Sequence, residues 1–267
     1  MNLILKLALI GASVLALSLT ASAAEQGDPE RGLEIARQAK ARGDGYGAYL
    51  AQGRMVLRDR AGATNVREFA ARSLEMTDAG DRTEIEFSTP LDVRGMALLT
   101  HSHATRDDDQ WLFLPAMGRV KRITSSSRSG SFAGSEFSYE DLVGHVIEKN
   151  DYAWLREEPC PGVPDRRCHV NVQIPKAAES GYSRMIGWLD VEDFRTYQVE
   201  YFDRRGAHIK TMVSTDFRLY KERFWRAHDV VMTNHQTGKS TTMEWSRYDF
   251  DVAIRPVDLE PFSMGRN

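Results

Sequence analysis

Two histidines one residue apart, His101 and His103, fall on the same face of an extended run, and Asp107, Asp108 and Asp109 follow closely. Neutral imidazoles with a carboxylate suit zinc or iron. The same residues also make an ordinary solvent-facing strand end followed by an acidic turn, and the sequence fixes no third ligand in place. Residues 125–141, SSSRSGSFAGSEFSYED, are rich in serine. A nucleophile elbow needs G-x-S-x-G on a strand-to-helix turn; in Gly130-Ser131-Phe132-Ala133-Gly134 the serine falls one place too early. No glycine-rich phosphate cradle followed by Lys-Ser or Lys-Thr occurs. The stretch therefore reads as a polar loop with Phe132 and Phe137 as apolar anchors, leading into a short helix at 139–142. Such a loop either gates a cavity or simply packs.

Arg119, Lys121, Arg122 and Arg128 form the one local basic cluster. Alternation puts Arg119 and Lys121 on one strand face and Arg122 on the other. Those cations could meet a lipid phosphate or an acidic partner, or stand on a solvated edge where they discourage strand pairing. The two cysteines, Cys160 and Cys168, flank a turn marked by Pro159, Pro161, Gly162 and Pro164. In an oxidising compartment two such thiols suit a disulfide that pins the turn. Zinc with His169 is the rival, but a zinc site wants about four ligands and no other cysteine exists. His208 and His228 read as structural.

The elements that must carry these residues are mostly short strands. The chain opens MNLILKLALIGASVLALSLTASA: Lys6, an apolar run, then small residues up to Ala23. This fits a secretion leader over 1–23, cleaved after Ala23; the apolar run is short for a spanning helix, which needs roughly 20 apolar residues. Losing Lys6 takes the net charge from −3 to −4, which gives no general affinity for nucleic acid or an anionic membrane face. Residues 24–267 suit a single domain, since β-rich domains often reach roughly 200–250 residues. Asp28-Pro29 starts a helix that RGDGYG at 42–47 ends. Beyond it come period-2 runs: around Met55–Leu57, then at 83–87, 96–103, 110–114, 119–124, 145–154, 169–174, 184–190, 196–202, 208–217, 226–234 and 241–250. DRRG at 203–206 and NHQTGK at 234–239 read as hairpin turns. Trp111 and Phe113 face away from Leu112 and Leu114, and Met185 and Leu189 away from Ile186 and Trp188. Both faces of these strands are thus apolar, where a sheet with one wet face would alternate more cleanly.

Residues 108–123, DDQWLFLPAMGRVKRI, and 129–142, SGSFAGSEFSYEDL, carry a resemblance to the outer-membrane lipoprotein-sorting-like family, relatives of LolA/LolB-like periplasmic carriers. RGDGYG at 42–47 resembles the family's start. The resemblance implies a mainly β (α+β) fold: a curved, incomplete antiparallel β-barrel with helices covering an apolar cavity for acyl chains. Members often sit near transporters of the resistance-nodulation-division class. The function expected on this basis is a periplasmic carrier or chaperone that binds a lipid or lipidated protein by reversible burial, without a cofactor or catalysis. It would serve an envelope lipid transporter or an outer-membrane component. Met96, Leu98, Trp111 and Phe113 are expected in the lining, with Phe132, Phe137, Trp188 and Met212. The alternative is a periplasmic sensor or adaptor that regulates a membrane protein without carrying lipid; what copurifies distinguishes the two. The leader makes the first testable prediction: exported protein should have a mass beginning at Ala24, and an intact Met1 in the membrane fraction would contradict it.

Overall fold

A computed structural model describes residues 27–76 and 80–266, so the leader assigned to 1–23 lies outside the described residues. Helix α1 (Pro29–Gly43) begins where Asp28 accepts the backbone N–H of Arg31 at 3.0 Å, with proline in the first turn. Six strands follow: β1 (Ala48–Arg58), β2 (Thr64–Leu74), β3 (Arg82–Thr89), β4 (Ala97–His101), β5 (Asp109–Leu114) and β6 (Arg119–Ile123). Seven more come after a long connection: β7 (Asn150–Cys160), β8 (Val163–Pro175), β9 (Tyr182–Asp190), β10 (Thr196–Asp203), β11 (His208–Tyr220), β12 (Phe224–Asn234) and β13 (Ser240–Phe250). Both expected hairpins close as read, at 203–208 and 234–240. Several strands extend beyond the expected runs, β8 by starting at Val163 rather than at 169, and two further differences stand out. The run at 145–154 becomes a strand only from Asn150, and β2 has no counterpart among the expected strands.

All thirteen strands form one antiparallel sheet in the order β6-β5-β4-β3-β2-β1-β13-β12-β11-β10-β9-β8-β7. Two meanders are zipped together by the β1–β13 pairing, from Tyr49 opposite Phe250 to Arg58 opposite Ser240. Laid flat, twelve interstrand spacings of about 4.8 Å would span roughly 58 Å. Instead the sheet curls. Lys149, just before one edge strand, pairs with Asp108, just before the penultimate strand at the other edge. β6 and β7 do not pair, so the barrel stays open.

The expectation of several covering helices is corrected: α1 is the one α-helix among the described residues, and it packs on the β7 end. The remaining cover is the connection from β6 to β7. Because consecutive strands sit at opposite edges, residues 124–149 must cross the concave face. They touch strand after strand on the way. Phe132 is fully buried and stacks on Phe87 of β3 at 5.5 Å. Glu136 N–H donates to Thr241 of β13 at 3.0 Å, and Asn234 of β12 donates to Glu136 at 2.7 Å. Tyr139–Leu142 form the expected short helix, a 3-10 turn.

At that turn the crossover is locked by a buried charge pair. Lys210 Nζ of β11 lies 2.7 Å from Asp141 Oδ2, with the two side chains 8% and 2% exposed. Tyr182 OH donates to Asp141 Oδ1 at 2.7 Å, and the Ser138 N–H to Oδ2 at 2.7 Å. Lys210 also sits 5.0 and 5.2 Å from the ring centres of Tyr182 and Tyr201. Burial, reinforced by the Asp141 charge, pushes both tyrosine hydroxyls far up, so they stay protonated. A carboxylate supplied with three donors is adequately solvated by protein; one stripped of its cation is not.

The outer face of β3–β5 is covered too, by the C-terminal residues 254–266. His101 Nε2 donates to the Leu259 carbonyl at 2.7 Å, and burial holds its pKa below the usual imidazole value, so the ring stays neutral. Arg82 pairs with Glu260 at 2.6 Å. Leu99, Trp111 and Phe113 pack against Leu259 and Met264 beneath this strap. Gly265, at φ +71°, lies against the Phe113 ring where a Cβ would overlap it, so both conformation and space require glycine. This second cover accounts for the two-sided apolar pattern around 111–114.

At the far end, Cys160 and Cys168 are joined by a disulfide across the two-residue turn between β7 and β8. The bond is buried with Val170, Trp188 and Tyr197. Closing so short a loop contributes about 2–3 kcal/mol. Non-reducing peptide mapping of exported protein should recover the linked pair; two alkylatable thiols would contradict it. The crossover lock yields a second expectation. Lys210→Met strands Asp141 and should cost about 3–5 kcal/mol, roughly 10 °C in thermal midpoint for a domain of this size. A loss under about 1 kcal/mol would show that the pair holds nothing.

Candidate functional site

The crossover does not fill the whole concavity. Between it, α1 and the concave side of β8–β11 lies a half-open cavity of about 940 Å³. Its floor is apolar: Met185 and Leu189 of β9, Val199 of β10 and Met212 of β11. Ala36 and Ala39 of α1 and Val143 and Val146 of the crossover face them. The local logic is strand alternation. On β9, residues 185, 187 and 189 line the cavity, while Ile186 and Trp188 point outward to the disulfide cluster.

The rim is polar and largely self-neutralised. Lys40 pairs with Asp44 at 2.8 Å, and Lys149 with Asp108. Glu140 accepts from Ser180 Oγ at 2.9 Å and the Gly181 N–H at 3.0 Å. Burial raises the carboxyl pKa of Glu140 and of Asp81, and burial lowers that of His145. All three shifts favour the neutral form, which marks a region poor in water. Such a site can hold an apolar chain below and polar groups at the mouth.

Of the residues expected in the lining, Met212 lines this cavity. Met96, Leu98, Phe132 and Phe137 pack in the core between the first meander and the crossover. Trp111 and Phe113 lie on the outer face beneath the strap, and Trp188 donates to Glu158 at 2.6 Å beside the disulfide. The strand residues among them lie on faces that the chain's own segments cover, and Phe132 and Phe137 belong to the covering crossover itself. Met185, Leu189 and Val199 were not among the expected lining, although the apolar character of Met185 and Leu189 opposite Trp188 is visible in the sequence.

The basic cluster is divided. Arg119 and Lys121 are exposed on edge strand β6, Arg122 pairs with Asp109, and Arg128 reaches Asp107 at the cavity rim. The His101/His103/acidic group is an ion-pair network. Although burial alone would raise the Asp109 carboxyl, hydrogen bonds from Arg122, Arg106 and His103 hold it at about 2. The Asp108 carboxylate takes Lys149 and the His103 N–H. His101 points away, to Leu259.

No helix among the described residues is long and apolar enough to cross a membrane. No curated protein matches the sequence. A family model described as "Uncharacterized protein" matches residues 79–264, more than half of the chain. Among solved structures, the chain is similar to an outer membrane lipoprotein-sorting protein domain from Vibrio parahaemolyticus. The identity is 41%, coverage is 89% of this chain and 99% of that one, and the TM-score is 0.86. A DUF1329 family protein from Desulfovibrio piger is 25% identical over 89% of this chain and 99% of its own, with a TM-score of 0.82. A LolA superfamily protein from Nitrosomonas europaea shares the fold, at 16% identity, 86% and 97% coverage and a TM-score of 0.68. With the 41% identical Vibrio parahaemolyticus domain aligned along almost its entire length, the chain belongs to the outer-membrane lipoprotein-sorting-like family.

Proposed function

We propose that this protein is a periplasmic carrier or chaperone that shelters a lipid, or the acyl chains of a lipidated protein, in the cavity beneath its crossover. One observation carries the reading: a space of about 940 Å³ with an apolar floor and a polar mouth, inside a sheet of the lipoprotein-sorting type. Ligand pockets typically have roughly 300–1,000 Å³. The mechanism is reversible burial. Each methylene removed from water contributes roughly 0.8 kcal/mol, so ten give about 8 kcal/mol, near micromolar affinity. No bond need be made or broken, and the protein is proposed not to be an enzyme. Release then depends on a partner that favours the empty state. A transporter of the resistance-nodulation-division class or an outer-membrane component is the proposed partner, on the strength of the family resemblance.

The test places a charge in the floor. Met212→Glu and Val199→Glu should lower extractable lipid per protein at least tenfold while the fold survives, because both side chains are only partly buried and border an open space rather than a packed core. Leu98→Glu, buried at 1% exposure in the packed core, should instead unfold the protein, since an unpaired buried carboxylate costs several kcal/mol. Thermal unfolding and lipid extraction are read on all three. If protein from its own envelope carries no lipid and binds no fluorescent fatty acid, the carrier reading fails. A tight protein complex with an empty cavity would instead favour the adaptor.

A further inference from the structure

Six cations border the cavity: Lys40, Arg106, Arg128, Lys149, Lys176 and Arg226. Five have a carboxylate within ion-pair distance, supplied in turn by Asp44, Asp109, Asp107, Asp108 and Asp151. Arg226 has none among the described residues. Its Nη1 donates to the carbonyl of the adjacent Trp225 at 3.0 Å. The rest of its surroundings is aromatic, with the ring centres of Tyr46, Tyr49, Phe224 and Phe250 at 5.7–5.8 Å.

Rings of this kind attract a guanidinium through their quadrupoles, but they do not neutralise it. They also exclude water from its flanks, which strengthens any ion pair the group forms. A guanidinium carries five N–H donors in a planar fork that matches a carboxylate or phosphate. Most of that fork is unused here. Arg226 is half-buried, so it is held by packing yet open to the cavity. A rim that is otherwise neutralised internally gives an incoming anion one place to go.

We infer that Arg226 anchors the anionic group, carboxylate or phosphate, of an amphiphile whose apolar chain lies along Met185, Leu189, Val199 and Met212. The inference rests on the carrier reading and adds to it the charge of the ligand. Delipidated protein is titrated with cis-parinaric acid and with its methyl ester, for the wild type, Arg226→Gln and Arg226→Lys. Wild type should bind the acid at least tenfold more tightly than the ester. Arg226→Gln should bring the two within about twofold by weakening the acid alone. Inorganic phosphate should compete with the acid and leave the ester in place.

Equal weakening of acid and ester, or a preference that survives in Arg226→Gln, overturns the assignment and leaves the carrier reading standing. If neither probe binds wild type, both fall. Phosphate that binds through Arg226 without displacing the acid identifies a free-anion site and overturns the amphiphile. Should Arg226→Gln fail to fold, arginine-labelled NMR of the wild type decides. The Arg226 Nε–H resonance, identified by its loss in Arg226→Lys, should shift with the acid and not the ester. No shift overturns the proposal.

Discussion

The arrangement of this molecule follows from one topological constraint: the strands on either side of the longest connection, β6 and β7, sit at opposite edges of a thirteen-stranded sheet. The chain between them has to travel the full width of the concave face. A polar, serine-rich segment does not lie on an apolar surface without being fastened, and here the fastenings are Phe132, Phe137 and the Asp141–Lys210 pair. Apolar burial fixes the first half of the crossover, over β2 and β3. The charge pair fixes the second half, over β9 and β11. The cavity lies under the last part of the crossover, where Val143 and Val146 look across a gap to the floor of β8–β11. The site is therefore the part of the concave face that the crossover roofs without filling.

The charged lock has a physical consequence that an apolar one would not. A buried ion pair is a weak source of net stability, because both groups lose water, but it is intolerant of losing one partner. It thus selects a position along the sheet more strongly than it stabilises the fold. Tyr182 and Tyr201 stand beside the same pair, and the floor residues Met185 and Met212 belong to the strands that carry Tyr182 and Lys210. Holding the crossover in place and shaping the cavity are consequently one set of contacts.

Much of the fold was legible in the sequence because period-2 alternation survives in most strands and the turns carry their own chemistry. Strand β2 was not. Its inward side, Phe69, Ala71 and Ser73, has a single large apolar residue, and Ala70 and Ala71 favour helix over strand. The disulfide was legible because its two thiols flank a turn marked by Pro159, Pro161, Gly162 and Pro164, with no other cysteine to compete. The cavity lining was not, for a reason more basic than weak signal. Alternation tells which residues share a face, but not what covers that face. Leu98, Trp111, Phe113 and Trp188 are large, apolar and on strands, and each is covered by another segment of the same chain: the crossover, the C-terminal strap or the disulfide hairpin. Long-range cover of this kind has no local periodicity.

The uneven cover also explains how a fold so thoroughly packed on one side could still release a ligand from the other. Over β3–β5 both faces are dry, with Phe87, Leu98 and Phe132 within and Leu99, Leu259 and Met264 without, so that half behaves as a rigid core. Over β8–β11 the concave floor of Met185, Leu189, Val199 and Met212 meets a half-open space, with Tyr182 and Tyr201 among its walls. Methionine side chains are unbranched and adapt to irregular shapes, and a mouth left open to water limits how much of a chain can be dried. An enclosed cavity would bind more tightly and exchange more slowly. On the carrier reading, the opening keeps affinity within a range from which a partner can withdraw the cargo, while the rigid half keeps the sheet curved as the cavity fills and empties.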